Sequence, residues 1–194
     1  MANPKKPRFK VARHLGANVY NHPKALKRGV KSHRKQSEYG KQLLEKQKLK
    51  AYYGLKERQF RRYVKEALKS KENPGVVLIQ NLEIRLDNIV YRLGYGSTLR
   101  QARQIVSHGH IRVNGSKVDI PSYLLKTGDE ISLNKRSRNK DLFRENFQSA
   151  PLTLSYLTKD IDALTGQLVS IPHVDEIPIN VEVLPIVEFY SRRL

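Results

Sequence analysis

The sequence contains no cysteine, and its first 36 residues contain no Asp or Glu. The first absence excludes disulfides, cysteine-ligated zinc and thiol catalysis, and is consistent with a reducing compartment. The second leaves the eleven Lys and Arg of that stretch without internal counter-charge. Also missing is any apolar run near the roughly 20 residues that span a bilayer. The start, Met1-Ala-Asn-Pro-Lys-Lys-Pro, has no apolar core of the kind a secretory signal requires, so none is expected. A basic protein of the membrane surface would need a strongly apolar helix face or a lipid anchor, and neither is evident. No membrane partner is expected.

What is there is positive charge, placed unevenly. The 194 residues carry a formal net charge of +19. Residues 1–72 hold 22 basic and 5 acidic residues, whereas the remaining 122 hold 15 and 13. Unopposed charge repels itself and disfavours compaction, so it calls for an anionic partner, most commonly nucleic acid.

The pattern along the chain predicts an α+β protein. Residues 1–36 read as a basic extended tail, interrupted by Pro4, Pro7, Gly16, Pro23 and Gly29, disordered alone and ordered on a polyanion. A helix is predicted from an N-cap at Ser37 to a stop at Gly54. A second carries Phe60, Tyr63, Val64, Ala67 and Leu68 at helical spacing. A third is predicted through Leu78, Leu82, Leu86, Ile89, Val90 and Leu93 to Gly94, after a break at Asn73-Pro74-Gly75. A short helix follows, capped by Ser97 or Thr98, with Leu99, Ala102, Ile105 and Val106 inward and Gly109 as its stop. Ile111–Val113 and Lys117–Val118 flank Asn114-Gly115, the strongest short-range hairpin signal. Glu130–Leu133 reads as a further strand after a turn at Gly128-Asp129. Residues 135–150 return to charge with Lys135, Arg136, Arg138, Lys140 and Arg144. Leu152, Leu154 and Leu157 suggest a strand. Residues 145–190 then turn acidic, and Val181, Val183, Ile186, Val187 and Phe189 look like a segment that packs back on the body.

Binding candidates follow from this placement. With Leu99, Ala102, Ile105 and Val106 inward, Arg100, Arg103, Gln104 and His108 form a polar stripe, since residues three or four apart are neighbours on a helix. The turn at Gly109 then presents His110, Arg112, Asn114 and Lys117. Forked and cationic donors suit phosphate oxygens. Arg92 and Ser97 border this surface. Upstream, Arg8, Lys10, Arg13, His14, Arg34 and Lys35 in the tail are candidates for phosphate contact. So are Lys46, Lys48 and Lys50 on the first helix, and Arg58, Arg61 and Arg62 on the second. Tyr39, Tyr52 and Tyr53 can stack on bases or serve as packing core. His14, His22 and His33 lack metal-ligand spacing, so phosphate or base contact is the reading and no metal or cofactor is expected.

Residues 83–133, from Glu-Ile-Arg-Leu-Asp-Asn-Ile-Val-Tyr-Arg-Leu-Gly through Ser97-Thr-Leu-Arg-Gln-Ala-Arg-Gln-Ile-Val-Ser-His-Gly-His-Ile-Arg-Val-Asn-Gly, resemble the RNA-binding module named after the fourth protein of the small ribosomal subunit. That module also occurs in pseudouridine synthases, a heat-shock ribosome-rescue protein and tyrosyl-tRNA synthetases. The flanks narrow the resemblance. Arg8-Phe-Lys-Val-Ala-Arg-His-Leu-Gly16, Gln36-Ser-Glu-Tyr-Gly-Lys-Gln-Leu-Leu-Glu-Lys-Gln-Lys-Leu49, Tyr53-Gly-Leu-Lys-Glu-Arg-Gln-Phe60 and Ile186-Val-Glu-Phe-Tyr-Ser-Arg192 are similar to the bacterial-type ribosomal protein family itself.

The resemblance implies a helical domain of residues 37–84 and 175–194, with the RNA-binding domain 85–174 inserted between them. It implies a structural, non-enzymatic role: early binding of the five-way junction in the 5′ domain of small-subunit rRNA. It also implies neighbours, namely the fifth small-subunit protein, other small-subunit proteins and mRNA near its entrance, with no homo-oligomer. Family members can influence decoding fidelity, and some repress their own mRNA. The implied location is the cytoplasmic ribosome, with an organellar ribosome left open. This chain departs from the family at Arg28-Gly-Val-Lys-Ser-His33, where many members have Tyr-Pro-Pro-Gly-Gln-His-Gly, and without cysteines it is the zinc-free type. A pseudouridine synthase would need a further catalytic domain with an active-site Asp. A free-standing rescue factor would not need the leading helices.

Overall fold

The computed structural model describes residues 7–31, 36–152 and 154–191. The chain divides into two compact units, Met1–Gly75 with Ile179–Leu194, and Val76–Pro178. The α+β class is as the sequence predicts.

The first unit is helical. Helix α1 (Arg8–Leu15) corrects the expectation of an extended tail. It buries Ala12 and Leu15, and with Ala17, Val19 and Ala25 they form a small core that Leu44, Ala51 and Tyr52 cover. Two turns of helix with alanine as an apolar position give too weak a period to read. The missing apolar surface comes from α2 (Glu38–Tyr52). Ser37 caps α2 as predicted, accepting a hydrogen bond from the Gly40 amide at 3.2 Å. Helix α3 (Glu57–Ala67) buries Phe60, Val64 and Ala67, each of the larger two contributing about 1.5–3 kcal/mol of burial. The C-terminal helix α9 (Leu184–Ser191) buries Ile186, Phe189 and Tyr190 and lies against α2. The Gln42 amide donates to Glu188 across that contact at 3.3 Å.

Glu57 ties these helices together. Its carboxylate accepts hydrogen bonds from Lys50 (2.6 Å), Lys46 (3.2 Å) and the Tyr190 hydroxyl (2.5 Å). Burial pushes its pKa up, but the bonds from Lys50, Tyr190 and Lys46 outweigh that and bring it down to about 2. A lowered folded pKa stabilises the fold fully above the ordinary 4.5 and loses that contribution as pH falls towards 2. Glu57→Gln is therefore expected to destabilise the chain at neutral pH, with the gap to wild type closing between about pH 4.5 and pH 2. Urea denaturation across that range checks it, and a gap independent of pH would detach the effect from the Glu57 charge.

The second unit packs helices on an antiparallel sheet. Helices α4 (Pro74–Glu83) and α5 (Leu86–Arg92) replace the single third helix predicted from Leu78 to Leu93. The break at Ile84-Arg85 has a tertiary cause. Arg85 bridges to Leu124 in extended backbone, and the Leu86 and Asp87 amides donate to the Tyr123 and Pro121 carbonyls. Helix α6 (Leu99–Ser107) starts at Thr98, whose hydroxyl accepts from the Gln101 amide.

Strands β1 (Ile111–Val113) and β2 (Ser116–Lys117) form the predicted hairpin. Asn114 and Gly115 both take positive φ, 49° and 77°, as a type I′ turn requires. With β3 (Glu130–Leu133), β4 (Leu157–Asp160) and β5 (Thr165–Leu168), the order is β2-β1-β3-β5-β4. Leu152 and Leu154, suggested as strand, instead pack against the core from outside the sheet. The charged stretch after β3 holds two helices, α7 (Lys135–Arg138) and α8 (Asp141–Ser149), the latter burying Phe143 and Phe147. A core of Leu86, Ile89, Val90, Leu93, Ile105, Val106, Ile131 and their neighbours lies under the helices.

Candidate nucleic-acid interface

In the first unit the cations sort into two kinds. On α3, Arg58, Arg61, Arg62 and Lys65 are exposed, because Phe60, Val64 and Ala67 take the opposite face, and Lys69 is exposed just beyond the helix's C-terminal end. None of these five makes an ion pair or side-chain hydrogen bond among the described residues. The predicted set stops at Arg62. Lys65 and Lys69 extend the stripe at i+4 spacing, a signal present in the sequence. On α1, Arg8, Lys10 and His14 are exposed and Arg13 is half-buried. Arg34 and Lys35 lie outside the described residues, as does His33.

The α2 lysines are used internally. Lys46 is turned inward, 6 % exposed, bonded to Glu57 and 4.3 Å from the Phe189 ring centroid. Such a position is worth more to packing than to an outside ligand. Lys50 also bonds Glu57, and Lys48 bonds Glu45 at 2.6 Å. Of the tyrosines, Tyr53 is buried. The Tyr52 hydroxyl accepts from the Asn180 amide at 3.4 Å, and Tyr39, half-exposed, stacks on Phe189 at 5.8 Å.

In the second unit, α6 presents Arg100, Gln104 and His108 to solvent. Arg103, expected in the same stripe, is held inward by Asp87 through two bonds of 2.6 and 2.8 Å. Asp87 also receives the buried Arg85, at 2.9 and 3.1 Å. One carboxylate thus joins the start of α5 to α6. Arg92 is likewise committed, pairing with the fully buried Glu83 at 2.7 Å, and the Tyr156 hydroxyl donates to the same carboxylate at 2.8 Å. Ser97 is exposed and bonds Gln101 at 2.8 Å.

On the hairpin, Asn114 is structural: its amide donates to Asp129 at 2.7 Å and its oxygen accepts from the Glu130 amide. Arg112 donates to the Gly115 carbonyl. Lys117 is exposed, 3.6 Å from Asp119. His110 bonds the Ser137 hydroxyl at 2.8 Å, and its ring lies 5.4 Å from Phe143. Burial, with Lys140 and His108 nearby, holds His110 below the ordinary imidazole range. The exposed cationic faces among the described residues include α3 in the first unit and α6 with its hairpin in the second. Among the described residues no group of His, Asp or Glu is placed to hold a metal ion, and no helix is long and apolar enough to cross a membrane.

Comparison with known proteins matches both units. Residues 3–83 match the family described as ribosomal protein S4/S9 N-terminal domain, and residues 84–131 match the S4 domain. Small ribosomal subunit protein uS4B of Clostridium acetobutylicum is 58% identical over 186 residues, 96% of each chain. Small ribosomal subunit protein uS4 of Finegoldia magna is 48% identical over 99% of this chain and 100% of its own. The uS4 of Aquifex aeolicus is 51% identical over 82% of this chain and 78% of its own.

Proposed function

The chain belongs to the uS4 family of small ribosomal subunit proteins, and on that premise we propose that it binds the five-way junction in the 5′ domain of small-subunit rRNA early in assembly. The observation that carries this reading is the face of α3 with Arg58, Arg61, Arg62 and Lys65, continued by Lys69; these cations make no ion pair among the described residues. A junction crowds phosphates from several helices. Double-helical RNA hides its base edges in a deep groove, so shape, phosphates and 2′-hydroxyls carry recognition. The exposed Arg8 and Lys10 of α1, and Arg100, Gln104, His108 and Lys117 of the second unit, add donors of the same kind.

The role is structural rather than catalytic, on the cytoplasmic ribosome. Other small-subunit proteins, the fifth among them, and mRNA near its entrance are the neighbours, with an influence on decoding fidelity. Chemical footprinting on a 5′-domain transcript tests the proposal. Protection is expected at junction nucleotides, and an Arg58→Ala, Arg61→Ala, Arg62→Ala variant is expected to lose it while keeping its circular-dichroism melt. Protection elsewhere only, or none, would overturn the junction as target.

A further inference from the structure

The second unit carries another cationic surface, on the segment after β3. Residues 134–144 hold Lys135, Arg136, Arg138, Lys140 and Arg144 against Asp141 alone. Two of the five have internal work. Arg138 donates to the Ala163 carbonyl at 2.6 Å, and Arg144 donates to the Arg138 carbonyl at 2.9 Å. Lys135, Arg136 and Lys140 are exposed and make no ion pair or side-chain hydrogen bond among the described residues.

This segment is fixed in place beside the end of α6. The Asn134 side chain donates to the Gly109 carbonyl at 2.9 Å, and its backbone amide donates to the His110 carbonyl at 2.8 Å. Ser137, buried, meets His110 at 2.8 Å. Asn134 also caps α7, accepting from the Ser137 amide at 2.7 Å. Lys135 and Arg136 thus sit on a short helix stapled to the His108–His110 turn, Lys140 follows two residues after its end, and His108 is exposed on that turn. Lys140 and His108 both disfavour a further positive charge on His110. Like charges held together by a rigid scaffold, with a single neighbouring carboxylate, Asp141, that pairs with none of them among the described residues, mark a surface complementary to an outside anion.

We propose that Lys135, Arg136 and Lys140 on and beside α7 form a second phosphate-binding edge of this unit, extending the α6 surface through His108 onto the rRNA backbone. The proposal rests on the rRNA-binding reading above. It lies outside the S4-domain match, which ends at residue 131. Nucleic acid is favoured over an acidic protein surface because the edge continues a face already lined with exposed donors for phosphate.

The test compares the full-length chain with a Lys135→Gln, Arg136→Gln, Lys140→Gln variant, by filter binding to small-subunit rRNA from 50 to 400 mM salt. A Lys135→Arg, Lys140→Arg variant serves as charge control. Each lost phosphate contact flattens the slope of log affinity against log salt by about 0.7–0.9. The triple variant should therefore lose about 2–3 from the slope and about a hundredfold in affinity near 100 mM salt. The charge control should keep both. If wild type binds and the triple variant matches it, this edge is not a phosphate site, while the junction proposal stands. If wild type shows no salt-sensitive rRNA binding, both fall.

Discussion

Raising salt from 50 to 200 mM is expected to weaken binding of this chain to junction rRNA by about 10³–10⁵-fold. Two sources of affinity with different salt sensitivity compete here. Six to ten neutralised phosphates release their condensed counterions, and that release fades as bulk salt rises. The alternative source of affinity is base stacking, about 1–3 kcal/mol per base and nearly insensitive to salt. The structure disfavours the alternative for the tyrosines that could supply it. Tyr53 is buried, Tyr39 leans on Phe189 and Tyr52 is engaged by Asn180. The exposed Arg58, Arg61 and Arg62 of α3 and Arg100 of α6 have no comparable competing engagement among the described residues. Equilibrium binding over a salt series decides it. An affinity that changes less than about tenfold would mean that phosphate neutralisation is not what holds the complex together.

Asp87→Ala should cost about 3–5 kcal/mol of stability in the second unit. Asp87 and Arg85 are both about 1 % exposed, and Arg103 reaches the same carboxylate. Removing the carboxylate leaves the Arg85 charge buried without the bidentate partner that offset its desolvation. It also cuts the link between the start of α5 and α6. Arg103→Ala should cost less, about 1.5–3 kcal/mol, because Asp87 keeps Arg85 and Arg103 is a third exposed. Urea denaturation followed by circular dichroism measures both. Equal losses, or a loss below about 1 kcal/mol for Asp87→Ala, would show that the carboxylate is not the anchor described here. The same geometry makes the paired substitution Arg100→Ala, Arg103→Ala an unclean probe of RNA contact. An outward stripe of Arg100 and Arg103 would allow the pair to be removed without touching the melt, but Arg103 is bound to Asp87 and holds α6 to α5.

Much of the fold could be read from local pattern. Ser37 and Thr98 cap their helices, Asn114-Gly115 turns its hairpin, and Phe60, Val64 and Ala67 face inward as their spacing predicts. These features depend on residues within a few positions of one another. The failures share the opposite property. Helix α1 forms on apolar surface lent by α2, α4 and α5 part because residues 121–124 take backbone donors, and β4 and β5 pair across a turn with no strong alternation. The stretch after β3 showed charge and hid α8, the helix that buries Phe143 and Phe147.

By itself the sequence determined that the chain is a cationic α+β protein made for a polyanion, and the order of residues from Arg8 to Arg192 carried its family resemblance. Only the tertiary structure decided which cations remain available. Lys46, Arg92 and Arg103 resemble their neighbours in any count of charge, yet each faces a carboxylate, Glu57, Glu83 or Asp87, that the fold brings to it. Charge is a property of the residue, whereas its neutralisation depends on distance and burial, which exist only once the chain has folded.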